Sequence, residues 1–75
     1  MNRELQLKIG KYSKEYRKKH IKINQSELAN KYNLDLQNIS SFETGRANNI
    51  VYVLIYASED KTGNYLNGLI ELFRG

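Results

Sequence analysis

Cysteine is absent from this chain of 75 residues, and histidine occurs once, at position 20. Without thiols there is neither a disulfide framework nor a thiolate metal site, and a single imidazole does not make a zinc site. Long apolar runs are missing too. None approaches the roughly 18 residues of a membrane span, and the charged N-terminal stretch lacks the apolar region of a signal peptide. These absences lead us to expect a soluble, cytoplasmic protein. Nor is there a glycine-rich phosphate loop, a cluster of metal ligands or a paired acid and base. Ser40 and Ser41 have no general base in their own segment, and His20, alone in a basic connector, reads as a surface residue. No enzymatic activity, metal or cofactor is expected. No internal repeat or low-complexity tract occurs.

At this length one domain is expected, near the size at which a single core only just suffices. Its net charge of +4 is unevenly spread. Arg3, Lys8, Lys11, Lys14, Arg17, Lys18, Lys19 and Lys22 lie in the first 22 residues against Glu4 and Glu15, and the remainder is slightly negative. A basic segment attracts polyanions, so nucleic acid is the natural partner and an anionic membrane surface the weaker one. Lysines on a first helix also commonly form a plain solvated face.

The stretch Asn24 to Arg46, NQSELANKYNLDLQNISSFETGR, organises the rest. Asn24 with Glu27 has the form of a capping box, and Ile23 and Leu28 are spaced as its hydrophobic staple. Asp35 repeats the start signal, with Asn38 in the third helical position and Leu34 and Ile39 as a second staple. Two start signals predict two short helices. Tyr32-Asn33-Leu34 leaves room for about three residues of turn, with Asn suited to a left-handed helix end, and Gly45 closes the second helix. Leu28, Ala29, Tyr32, Ile39 and Phe42 are the expected core positions. Leu36, Gln37, Ser40, Ser41 and Thr44 then point outward, short or amide side chains of the kind that read a DNA groove.

This stretch resembles the helix-turn-helix of the Cro/cI (phage repressor, XRE) family. Gln25, Leu28-Ala29, Ile39, Phe42, Glu43, Gly45 and Arg46 fall in register with the family pattern, and upstream Ile9-Gly10 and Tyr16-Arg17 match its first helix. The resemblance covers roughly residues 9 to 57. It implies an all-α, lambda-repressor-like bundle of about five helices and a sequence-specific double-stranded DNA-binding regulator. Leu36, Gln37, Asn38 and Ser41 would read bases, and Asn24, Gln25, Thr44 and Arg46 would contact phosphates. It also places Arg17 opposite Glu43 as a partly buried ion pair. Two departures stand out. Ser13 occupies a place usually apolar, and the connection His20-Ile21-Lys22 is about one residue longer than is commonest.

Before that motif, Leu5, Ile9, Tyr12 and Tyr16 recur at helical spacing from about Arg3 to Lys19. After it, Arg46-Ala47-Asn48-Asn49 is a polar connector. In IVYVLIYA, residues 50–57, propensity favours a strand, whereas Ile50, Val53, Leu54 and Ala57 share one helical face behind an Asn49 cap. With the family, we expect a fourth helix here. Ser58 to Asn64 reads as a loop. The final segment carries two neighbouring stripes, Leu66, Leu69, Ile70 and Phe73 beside Tyr65, Leu69 and Leu72. Either both complete the core, or the Tyr65, Leu69, Leu72 stripe is spare surface that holds a homodimer on an inverted-repeat operator. An alternative function on the same scaffold is a protein-interaction module, such as an antitoxin or a phage-encoded inhibitor, with a protein partner in place of, or in addition to, DNA.

Overall fold

The apolar spacing of the first segment produces α1, Arg3–Tyr16, which buries Ile9, Gly10, Ser13 and Tyr16. The computed structural model describes residues 3–47 and 49–75, so Asn48 of the polar connector lies outside the described residues. α1 does not stop where the sequence suggested. It runs directly into a π turn, Arg17–Ile21, closed at Lys22, whose N–H donates to the Arg17 carbonyl and whose backbone is left-handed at φ 61°. A π turn holds one more residue per hydrogen-bonded ring than an α turn. It therefore takes up length in the His20-Ile21-Lys22 connection without opening a loop.

Helix α2, Gln25–Tyr32, starts with a complete capping box: Asn24 accepts from the Glu27 N–H and the Glu27 side chain accepts from the Asn24 N–H. It ends at Asn33, left-handed at φ 54°. Helix α3, Leu36–Glu43, starts one residue beyond Asp35, which accepts from the Gln37 N–H. Gly45 ends this region at φ 77°, a conformation natural to glycine. A Cβ there would lie 2.7 Å from Leu7 Cδ2, so the turn packs tightly on α1.

Helix α4, Ile50–Glu59, settles the conflict between propensity and periodicity in favour of helix, and Asn49 caps it by accepting from the Val51 N–H. Tertiary contacts override strand propensity here. The expected face needs correction, however. Tyr52, Val53, Ile55 and Tyr56 are buried, while Ile50 and Leu54 are 66% and 55% exposed. Every residue from Ile50 to Ala57 is apolar or aromatic, so periodicity alone gave no unique face. The rings decided it. Tyr52 and Tyr56 both pack on Phe42, with centroids 5.7 and 5.4 Å away.

Helix α5, Asn64–Arg74, corrects a second expectation. Tyr65 and Leu69 are core residues and Leu72 is half-buried, whereas Leu66, Ile70 and Phe73 face outward. The Tyr65 N–H donates to Asp60 Oδ2 at 2.8 Å, which fixes the rotation of the helix start. Its ring packs on Tyr12, Tyr16 and Tyr56 at 5.4–5.8 Å. Tyr65, Leu69 and Leu72 are therefore not a free stripe, and a charge at Tyr65 would disrupt the monomer itself.

The described residues thus form five helices with no strand, and no helix is long and apolar enough to cross a membrane. The core is rich in tyrosine, which brings hydroxyls inside. Ser13 answers one of them: its Oγ lies 2.7 Å from the Tyr65 hydroxyl, both groups fully buried. The departure at Ser13 is matched by a partner 52 residues away. No buried side-chain polar atom among the described residues lacks a partner. Ser13→Ala should leave the Tyr65 hydroxyl unpaired and cost about 1–3 kcal/mol in urea denaturation. The double variant Ser13→Ala/Tyr65→Phe should be less unstable than the two single costs added together, because the orphaned hydroxyl is removed with its partner.

Candidate nucleic-acid interface

Two positions hold α3 against the core, Ile39 and Phe42, both almost completely buried. Their spacing turns Leu36, Gln37 and Asn38 to solvent and leaves Ser40 and Ser41 half-exposed along the same helix. The position of α3 is set at its C-terminal end by Glu43. Its carboxylate receives Arg17 Nε at 2.7 Å and Arg17 Nη2 at 3.0 Å, a two-pronged contact from the π turn to α3. Gln25 Nε2 donates to the same carboxylate at 2.7 Å, and the Tyr56 hydroxyl donates to it as well. Four helices meet at one side chain.

Burial by itself would raise the Glu43 pKa, but the hydrogen bonds from Arg17, Tyr56 and Gln25 outweigh it and hold the carboxyl below its ordinary value. Burial together with the bond to Glu43 pushes the Tyr56 phenol upward. Arg17 also donates through Nη1 to the Ile23 carbonyl at 2.8 Å, so the same residue fixes the chain entering α2. The approach of α1 to α3 that allows this depends on Gly10, where a Cβ would sit 2.5 Å from the Phe42 carbonyl oxygen.

The side chains expected at phosphates are more constrained than their sequence positions suggested. Asn24 is occupied as the α2 cap, with its Oδ1 2.8 Å from the Glu27 N–H. Gln25 donates one of its two amide N–H groups to Glu43. The Thr44 hydroxyl donates to the Ser40 carbonyl at 2.9 Å. Arg46 is exposed and forms no ion pair among the described residues. Sequence reasoning read the basic segment as attracting a polyanion or as a solvated face but singled out no set of cations within it. Lys14, Lys18 and Lys22 line one open groove with Asn24, Gln25, Ser26 and Leu36. The available signal was their four-residue spacing within the basic segment. It also missed Tyr56 as a partner of Glu43, for which no local signal exists.

A second cross-link ties α2 to α4: Lys31 Nζ lies 2.8 Å from Glu59 Oε2, and the Tyr32 hydroxyl donates to the same carboxylate. His20 is exposed and lies against Tyr16, with ring centroids 4.5 Å apart. No group of three or more His, Cys, Asp or Glu residues suited to a metal ion occurs among the described residues. Comparison of the chain with protein-family models, curated proteins and solved structures returned no match.

Removing Glu43 leaves the Arg17 charge buried without its partner, so Glu43→Ala should destabilise the fold by about 3–5 kcal/mol in urea denaturation. The pH dependence has a definite sign. A carboxyl whose folded pKa lies below the unfolded value contributes stability that is complete above the unfolded value and lost as pH falls through the folded one. With an ordinary Glu value of about 4.3, Glu43's stabilisation should be full at neutral pH and decline below about pH 4. Urea midpoints of wild type and Glu43→Gln should accordingly converge as pH is lowered from 7 through that range.

Proposed function

We propose that this protein is a sequence-specific double-stranded DNA-binding regulator of the Cro/cI helix-turn-helix kind, with a lambda-repressor-like arrangement of its helices. It occupies an operator and represses genes of a phage, plasmid or mobile element. The observation that carries this reading is the position of Leu36: it begins the outward face of α3 and also lines the groove of Lys14, Lys18 and Lys22. A groove-sized polar helix face and a cationic edge therefore adjoin, as backbone positioning and base reading require together. Gln37 suits adenine, which offers an acceptor at N7 and a donor at N6, and Leu36 suits a thymine methyl. Asn38 and Ser41 complete the reading face. Arg46 is the phosphate contact at the far end of α3, while Asn24, Gln25 and Thr44 contribute mainly by fixing the helix ends.

A single helix reads few base pairs, so the protein acts as a homodimer on an inverted repeat with half-sites about 34–36 Å apart. The contact between copies is the outward stripe of α5, Leu66, Ile70 and Phe73, which are 41%, 46% and 56% exposed. Their spacing of four and three residues makes a straight ridge that packs against its own symmetry mate. Ile50, Val51 and Leu54, exposed on α4, favour a second reading in which a protein partner, such as a toxin or another inhibited protein, binds the same scaffold.

A mobility shift on the DNA upstream of the protein's own gene separates the two. A regulator gives a salt-dependent band that unrelated DNA does not compete away, and an interaction-only module gives no specific band. Gln37→Ala should cost about 1–3 kcal/mol on the selected operator and relax preference at one base pair. Unchanged preference would remove Gln37 from the reading face. Ile70→Asp should leave a folded monomer, since its side chain is exposed, yet shift sedimentation towards monomer and weaken binding to the palindrome. A variant that dimerises like wild type would exclude this stripe.

A further inference from the structure

We infer that Lys14, Lys18 and Lys22 form a single cationic row, aligned by the π turn, that follows the sugar-phosphate backbone of duplex DNA beside the α3 reading face; this inference rests on the DNA-binding reading above. The three lysines line one groove. None forms an ion pair among the described residues. The other charges lining it are Arg17, already matched by Glu43, and Glu27, whose side chain accepts from the Asn24 N–H at 3.2 Å. Three like charges in one groove repel one another, and a polyanion relieves that repulsion.

The alignment follows from helix geometry. In a continuous α-helix each four-residue step overshoots one full turn by about 40°, so lysines at 14, 18 and 22 would fan around the axis. The π turn Arg17–Ile21 winds less per residue, and its left-handed cap Lys22 returns to the groove that Lys14 and Lys18 line. Its closure is fixed twice by one residue: the Lys22 N–H donates to the Arg17 carbonyl at 2.6 Å, and Arg17 Nη1 donates to the Ile23 carbonyl. Lys22 itself is exposed and left-handed at φ 61°, a conformation better suited to Gly or Asn. A cation at a helix C-terminus complements the helix dipole, and the Lys22 charge, with no ion pair among the described residues, is open to a ligand as well. Steps of roughly 6 Å along the helix, against roughly 3.4 Å per phosphate along one strand, give each lysine a phosphate of its own.

The test uses the whole protein and a random-sequence duplex, with affinity measured across a salt series. Lys14→Gln/Lys18→Gln/Lys22→Gln should lower the slope of log affinity against log salt by about 2 to 3. The control Lys11→Gln/Lys19→Gln/Lys61→Gln removes the same charge at exposed positions outside the row and should change the slope far less. Equal losses in the two variants would overturn the row, as would an unchanged slope in the first. Alignment has its own test. Lys22→Gln should lower the slope by about 1, and adding His20→Lys, which restores net charge off the row, should not recover it. Recovery would overturn the row, since charge off the groove would then serve as well as charge on it. Wild type that binds neither this duplex nor an operator would overturn the DNA-binding reading itself, whereas wild-type binding with an unaltered slope in the row variant overturns only this inference.

Discussion

The buried carboxylate of Glu43 is the constraint from which the arrangement of the helices follows. It stands at the end of α3 and is held from the π turn, α2 and α4 by Arg17, Gln25 and Tyr56. A charged group in that position is costly unless each lone pair is met, and here the surrounding donors meet them. The geometry of an Arg fork is directional, so the contact fixes an angle as well as a distance. Hydrophobic contacts through Ile39 and Phe42 keep α3 on the core. The Glu43 network decides how it is rotated there, and so which residues reach solvent.

A polar centre of this kind makes demands on the packing around it. Helices α1 and α3 approach closely enough only because position 10 is glycine. The turn after α3 closes over Leu7 only because position 45 is glycine. Tyrosine replaces leucine or phenylalanine in much of the core, and each hydroxyl must then end on a partner. Tyr56 ends on Glu43, Tyr65 on Ser13, and Tyr12 on the Tyr65 carbonyl at 2.8 Å. Burial raises the Tyr65 phenol to about 12, so it stays neutral in the core. The result is a small core held by directional bonds as much as by apolar area, a way of specifying one packing when there is little volume to fill.

What could be read from the sequence was whatever is encoded locally. Caps at Asn24, Asp35 and Asn49 use partners within three residues, and all three sit where helices start. The helical class was expected from them, from apolar spacing and, for residues 50–57, from the family resemblance. Faces were harder where the pattern was degenerate. Ile50 to Ala57 is apolar all round, and α5 carries two adjoining stripes, so the choice in each case was made by residues outside the helix: Phe42 and Glu43 for Tyr56, Ser13 and Asp60 for Tyr65. The π turn had no legible signature because its hydrogen bond is one residue longer than the period on which sequence patterns are read.

The candidate site divides the same way. The outward side chains of α3 could be named from the inward ones, because Ile39 and Phe42 leave only one face free. The phosphate candidates are less sharply drawn, because a polar residue at a helix end can serve the fold, a ligand or both. Asn24, Gln25 and Thr44 each make a hydrogen bond inside the protein. Lysines 14, 18 and 22, in the segment read as either polyanion-attracting or a solvated face, form no ion pair among the described residues. Unspent charge is thus a better guide to an external anion than polarity at a helix end: a group already bonded must give up that bond to bind, whereas an unpaired lysine gives up only water and a counterion.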